Sequence, residues 1–492
     1  MKLWNIIWIG VVLVCGVGCS DFLDVQPKDK QSEEQLFSTR GGFYTAVNGI
    51  YNKVASTALY GKNLSYELVD VISKRYAPLQ SNTYLTALST FDYTETSVQT
   101  GLSNTWTAAY NTILNCNVVL DNLEKSDGVL LPPEYRMLKG EMLALRAFLH
   151  FDMLRLFGPV YKLHPEMESI PYNESSRVSA LPLLTADSVL HEKILRDLDE
   201  AERMLADSDP VIEGGRMASQ EGDEDVYLRY RQLRMNYYAV LALKARGYLY
   251  AGENAKALAV ARKLLTDPKV DEHFPAVDPN KLLANQDNPD RVFSTEVLAG
   301  IYVKDRADIH TTYFSSEQAG TNYLHPRKNY VNANLFAEET QDYRFQSWWR
   351  TASNESEGGY DFIKYEEIAK PTQAGESEYF YAVFMSLIRL SEVYYIAAEC
   401  EPVLADKYGW LNKIRERRGL STLTVVSDED FMKRLRTEYL REFMGEGQIF
   451  FMYKRLYAHL LSDENGNDAN AYEARSVTCY HYLPGKSLIV KL

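Results

Sequence analysis

Catalysis would have to come from histidines, carboxylates or activated nucleophiles, and each of these restricts the possibilities. The eight histidines are His150, His164, His191, His273, His310, His325, His459 and His481, and no two stand three or four residues apart. One helical face therefore cannot offer two imidazoles to a metal ion, and no His-Glu-x-x-His run is present. The chain also lacks a Gly-x-Ser-x-Gly elbow and a phosphate-cradling glycine loop. With 67 Asp and Glu residues, carboxylate pairs must arise by chance, and sequence spacing does not set the separation that glycoside hydrolysis requires. We expect no catalysis, no cofactor and no metal.

Charge placed among apolar residues has a structural reading. Arg146, Arg389, Glu392, Glu399 and Arg415 all fall inside apolar helical stretches. An unpaired buried charge is costly, so these five are expected to form a network of ion pairs with one another. Asn117, on an apolar face, is expected to bond backbone or a neighbouring side chain.

Aromatic residues hold the remaining chemistry. The 35 Tyr, 19 Phe and 6 Trp make 12% of the chain, and tyrosine offers both an apolar face and a hydroxyl. Trp106, Tyr110, Tyr238, Tyr248 and Tyr394 recur at helical spacing, which assigns them to packing. Tyr76, Tyr84, Tyr93, Tyr313, Tyr323, Tyr330, Trp348 and Trp349 lie where no helical period exists. These are candidate ligand rings, with Arg75, Asn82, Asn322 and Arg327 as polar companions. The C–H face of a sugar ring stacks on such rings while amides and guanidinium groups bond its hydroxyls. Packing is the competing use for every one of them.

The elements that must position these groups are mainly helical. Trp106, Tyr110, Ile113, Asn117 and Leu120 repeat at spacings of four and three. A second helix carries Met142, Leu145, Leu149 and Leu156 and stops at Phe157-Gly158-Pro159. A third carries Ile194, Leu198, Ala201 and Leu205. Tyr238 to Tyr248, the turn Ala251-Gly252-Glu253-Asn254, and Ala257 to Leu264 read as a helix–turn–helix pair of tetratricopeptide-like character. Leu387, Leu390, Tyr394 and Ala397 open another pair, followed by Leu411 to Gly419. Helical pairs are thus expected over about 102–157, 186–266 and 383–460. Irregular segments over about 60–98 and 274–380 are expected to form a mixed α/β subdomain on this scaffold, since 274–380 is too long for a structureless loop. Val297 to Val303 is strand-like within it, and an acidic loop runs from Asp207 to Asp225.

The N-terminus bears on compartment. After Lys2, Leu3 to Gly18 is apolar except for Asn5. At 1.5 Å per residue this reaches about 24 Å, short of a membrane span. It reads as a signal peptide over 1–18, ending in small residues before Cys19, the expected lipidation site. The mature chain, 19–492, is expected to form a single domain tethered through Asp24 to Glu34. Cys116, Cys400 and Cys479 are odd in number and far apart, which argues against a disulfide framework. A net charge of −14 argues against nucleic acid as a partner.

Ordered blocks along nearly the whole mature chain resemble one family. Cys19-Ser-Asp-Phe-Leu-Asp24 with Pro27 is similar to its opening, and Gly42-Phe43-Tyr44-Thr45-Ala46-Val47-Asn48-Gly49-Ile50-Tyr51 to its first helix. Leu145-Arg146-Ala147 through Phe157-Gly158, and Lys244-Ala245-Arg246, continue the match. The strongest blocks are Arg389-Leu390-Ser391-Glu392-Val393-Tyr394, Leu411 to Leu420, and Glu438 with Arg441-Glu442-Phe443 and Gly445-Glu446-Gly447. Asp342-x-Arg344 and Lys364-Tyr365 also resemble a family pattern, read as structural. The chain is identified as SusD/RagB-like. That resemblance implies a tetratricopeptide-repeat scaffold anchored by lipid at the cell surface of the outer membrane. It also implies a SusC-like TonB-dependent transporter as partner and a glycan, or in some members a peptide, as ligand. No ligand residue is carried across by these motifs.

Overall fold

The computed structural model describes residues 28–77, 79–216, 226–284, 287–326, 330–337, 339–353, 359–369 and 380–456, with the short strand pair 482–483 and 486–487. Cys19, Arg327, Cys479 and the second part of the acidic loop, 217–225, fall outside these residues. A helix, α1 (Lys28–Leu36), already begins inside the stretch expected to be a tether. It leads through Thr39, whose hydroxyl caps the Gly42 N–H, into α2 (Arg40–Val54).

The scaffold is a series of helices in which each packs on the next. Helix α5 (Thr96–Leu123) precedes α6 (Pro132–Phe157). Proline opens α6, where its missing N–H is no loss, and Glu134 reaches back to the Leu131 N–H at 2.9 Å. From Gly140 onward helix α6 is buried on all sides, as a central helix of an array should be, and it ends at Gly158. A wide π-type turn, Ser188–Leu195, runs into α7 (Arg196–Leu205). Close approach of α6 and α7 depends on Gly140, where a Cβ would come within 2.7 Å of Leu205 Cγ. Helices α8 (Tyr237–Ala251) and α9 (Asn254–Leu265) are joined at Gly252, whose φ of +77° supplies the left-handed cap, and the short α10 (Pro268–His273) follows. Helix α9 packs on α12 (Leu390–Cys400), α12 on α13 (Leu404–Arg417), and both on α14 (Asp428–Glu442).

Two small sheets join this array. Strand β1 (Val297–Tyr302) pairs antiparallel with β4 (Phe384–Arg389), and β2 (Trp349–Thr351) with β3 (Tyr360–Phe362). The fold is mainly helical with a mixed subdomain. Leu387, expected to open a helix, lies instead in β4, and the helix starts at Leu390. Its apolar run is consumed by pairing with Val297 to Tyr302, a partner nearly ninety residues away that no local period reveals. The segment 60–98 also carries more order than expected, with short helices α3 (Leu68–Ile72) and α4 (Thr83–Ser89).

A buried ionic hub ties the C-terminal helices to β1 and to α11 (Tyr343–Trp348). Arg344 and Arg418 donate to Glu442 at 2.8 and 2.5 Å, and Arg389 bonds the same carboxylate. Arg418 also holds Glu296 at 2.7 Å. Glu438 accepts from Arg344, Arg415 and Arg441 at 2.7, 2.9 and 3.2 Å. Burial would raise the Glu442 carboxyl, but Arg418, Arg389 and Arg344 outweigh it and hold it well below the usual range.

The five charges singled out in the sequence are all paired, but with partners outside the set rather than with one another. Arg146 holds Asp197 at 2.7 Å and Asn117 at 2.9 Å; Arg246 holds Glu392, and Arg455 the half-buried Glu399. Arg389 reaches Glu442 and Glu446, and Arg415 reaches Glu339 and Glu438. The complementary charge comes from other elements: from facing helices for Arg146, Glu392 and Glu399, and for Arg389 and Arg415 also from Glu446 and Glu339, which lie outside helices. Asn117 also donates to the Asn173 and Ser175 carbonyls. Cys116 and Cys400 are buried free thiols, each pushed up to about 12 chiefly by burial.

Candidate functional site

A groove opens where the irregular segment 60–98 meets the scaffold. It is about 530 Å³ in volume and is lined by Lys62, Asn63, Tyr84, Ser97, Thr100 and Asn104, among others. Its floor comes from the turn after α2, one wall from α4, and the other from the first turns of α5. Helix α4 is started by Asn82, whose side chain accepts from the Leu85 N–H at 3.0 Å. The same amide donates to Asn322 Oδ1 at 3.0 Å, fastening the two irregular segments together. On α5, Ser97, Thr100 and Asn104 recur one turn apart and so face the groove together. Gly101 lies between them, and a Cβ there would stand 3.2 Å from the Tyr84 hydroxyl.

Behind the groove a buried carboxylate organises the wall. Glu67 accepts from Lys62 Nζ at 3.1 Å, from the Tyr84 hydroxyl at 3.2 Å and from the Tyr313 hydroxyl at 3.1 Å. The Asn63 amide is satisfied with its nitrogen toward Glu67 Oε2 and the Thr57 carbonyl, each at 3.2 Å. Burial first, and the neighbouring Glu67 charge second, raise both phenols, so each hydroxyl stays protonated as a donor. The half-buried Tyr84 ring is thereby fixed beside exposed Thr100 and Asn104. Such a wall presents one ring, an ammonium group, amides and hydroxyls. No carboxylate lines the groove among the described residues. The arrangement can hold a ligand rich in hydroxyls.

The structure separates the other candidate residues. Tyr84 lies in the groove; Tyr313 supports it through Glu67; Asn82 and Asn322 brace its edge. Tyr93 is half-buried against the core. The expectation of ligand contact is corrected for six residues, which are buried and engaged internally. Arg75 is wholly buried and donates to the Ser73 carbonyl and the Tyr330 hydroxyl. Tyr330 is thereby occupied, and Tyr76 donates to Asp70. Tyr323 donates to Asp361 at 2.7 Å, and Trp348 to the Arg291 carbonyl at 2.6 Å. Trp349 is buried against Phe362. Rings without a helical period can still be core rings, because irregular backbone also needs an apolar filling. Lys62, Asn63, Ser97, Thr100 and Asn104 were missed. The spacing of 97, 100 and 104 ahead of Trp106 was the available signal: a polar stripe at the start of an otherwise apolar helix.

The mainly helical array thus carries a side groove of one ring and many hydrogen-bonding groups. Comparisons place the chain more closely. The SusD family model matches residues 306–486, and a second model, described as "Starch-binding associating with outer membrane", matches residues 21–214. The chain belongs to the SusD-like family. Two SusD-like proteins of Formosa agariphila are each 26% identical to it, over 227 and 216 residues, or 44% and 42% of this chain. The matches cover 40% and 39% of those proteins, so the chain spans about two-fifths of the length of the curated relatives it matches. Among solved structures, a SusD superfamily protein of Bacteroides vulgatus superposes with a TM-score of 0.67 at 21% identity, covering 89% of this chain and 92% of that one. One from Bacteroides thetaiotaomicron gives 0.64 at 20% identity, covering 89% and 96%. A structure described as a laminarin-binding SusD-like protein gives 0.61 at 17% identity, covering 92% and 95%. At these identities the likeness establishes the fold.

Proposed function

We propose that the protein captures glycans at the outer membrane and delivers them to a SusC-like TonB-dependent transporter, without catalysing any reaction. The observation that carries this reading is the Tyr84 groove, where a ring braced through Glu67 stands beside Lys62, Asn63, Thr100 and Asn104. Hydroxyl-rich sugars need this combination of a C–H stacking face and closely spaced donors and acceptors. One ring and an open wall give weak binding, in the high micromolar to millimolar range once association costs are subtracted. Weak binding suits a protein that must release its ligand to a transporter. The family description and the laminarin-binding neighbour support the glycan class. Lipid on Cys19 would hold the protein at the cell surface. Among the described residues no helix is long and apolar enough to cross a membrane.

The test is a screen of neutral glycans and of peptides against the purified protein, repeated with Tyr84→Ala. Glycan binding that weakens in the variant is the expected result. Peptide binding with no glycan response would replace this reading by a peptide-capturing one. For the anchor, a Cys19→Ala variant should leave the outer-membrane fraction, unless the transporter retains it.

A further inference from the structure

The hydroxyl hydrogens of the Tyr84 groove are committed inward, and this restricts what its wall can offer. The Tyr84 hydroxyl donates to Glu67 Oε2 at 3.2 Å, and the Ser97 hydroxyl donates to Glu95 Oε1 at 3.1 Å. Thr100 donates to the Thr96 carbonyl at 2.8 Å. A hydroxyl has one hydrogen and two lone pairs, so these three oxygens keep only acceptor capacity for a ligand. Two of the hydrogens rest on carboxylates, in charge-assisted bonds of roughly twice the neutral strength. Turning either one outward would set its oxygen against a carboxylate oxygen. The Asn63 amide is buried and spent on Glu67, the Thr57 carbonyl and the Thr105 hydroxyl. The exposed Asn104 amide adds a donor and an acceptor to the same wall.

Charge behind the wall acts in the same sense. Among the described residues, Lys62 is the one cationic side chain lining the groove. Both Glu67 oxygens hold its ammonium group, at 3.1 and 2.9 Å, so its charge is compensated from behind. The first turn of α5 would ordinarily attract an anion through its unpaired N–H groups. Glu95 already occupies that end, accepting from the Ser97 N–H at 3.3 Å. Glu67 and Glu95 thus set two carboxylates behind the wall against one ammonium group. A carboxylate or sulfate group on a ligand brings acceptors and negative charge, and would meet lone pairs and like charge. A sugar hydroxyl brings the hydrogen that the wall lacks.

We propose that the Tyr84 groove selects uncharged glycans, held by hydroxyls that donate into the wall, and rejects those bearing uronate or sulfate groups. This selection deepens the glycan reading of the groove and rests on it. A site that hydrogen-bonds a ligand hydroxyl discriminates against analogues without that hydrogen, because its own polar groups are then left unpaired.

The experiment measures binding of methyl glucoside, methyl galactoside and methyl mannoside by saturation-transfer NMR, counting only the part lost in Tyr84→Ala. Each parent sugar is compared with its uronate, its 6-sulfate and its monofluoro-deoxy analogues. Fluorine is close to a hydroxyl in size but donates nothing. For a parent that binds, the uronate and the sulfate should bind about tenfold more weakly, and the most affected fluoro analogues about fivefold more weakly. In Glu95→Gln, which removes one of the two carboxylates, the uronate should regain part of its loss while the parent binds as before. Fluoro analogues that all match their parent overturn the donor requirement. A uronate or sulfate that binds as well as its parent overturns the rejection of anions. In both cases the glycan reading stands. If no parent sugar shows Tyr84-dependent binding, the glycan reading itself fails and the selection falls with it.

Discussion

The hub around Glu442 and the groove around Tyr84 use polar groups in opposite ways. In the hub, Arg344, Arg389, Arg418 and Glu442 are buried and each charge faces several of opposite sign. In the groove, one carboxylate is buried behind the wall, and the groups in front of it are a half-buried ring, an ammonium group, amides and hydroxyls. Full charges in dry surroundings are fixed by their partners and cannot be spared for a ligand. Neutral groups at a wet surface cost little when unoccupied and can exchange water for a sugar. In the hub charge density marks scaffold, and the ligand contact proposed at the groove falls where charge is sparse.

The largest expected effect breaks the hub. Glu442→Ala leaves three guanidinium groups without their shared partner and should destabilise the fold by about 4 kcal/mol, read by chemical denaturation. A variant as stable as the unaltered protein would mean that the hub is not a structural centre. Arg415→Ala should cost less, about 2 kcal/mol, because its partner Glu339 is partly exposed and screened.

The same pair gives a pH signature. Glu339 is held at about 2, with burial opposing and Arg415 and Arg441 prevailing. A lowered carboxyl contributes stability above its unfolded pKa of about 4.5 and loses it as pH falls through the folded value. The midpoint of thermal unfolding should therefore drop between about pH 4.5 and 2, and drop less in Arg415→Ala. A flat profile over that window would remove the ion-pair account.

Two smaller effects sharpen the contrast. Tyr330→Phe removes the hydroxyl that Arg75 holds at 2.7 Å, costing about 1 kcal/mol of stability with glycan affinity unchanged. Tyr84→Ala should do the reverse, reducing affinity by about 1 kcal/mol with a melting curve close to the original. Finding the two exchanged, with Tyr330 governing affinity, would restore the buried rings as ligand contacts.

Local order was legible wherever one helix carried its own period. The stop at Phe157-Gly158 and the turn at Gly252 follow from neighbours within a few residues; that the charges in apolar helices must be paired was legible too, but their partners, distant in sequence, were not. Leu387 was misread because its partner strand, Val297–Tyr302, is distant in sequence. The candidate rings were only partly separable for the same reason. Tyr84 and Tyr76 look alike in sequence, yet one lines a groove and the other is closed over by Asp70 and Phe314.

By itself the sequence determined the family, the helical scaffold and which charges must be buried, because helical periodicity and the cost of an unpaired charge act at short range. Tertiary structure alone decided which aromatic rings are core and which stripe of α5 faces a cleft. Those properties depend on which segments separated in the chain come to lie against each other, and a ring's exposure is set by those neighbours rather than by the residues beside it in sequence.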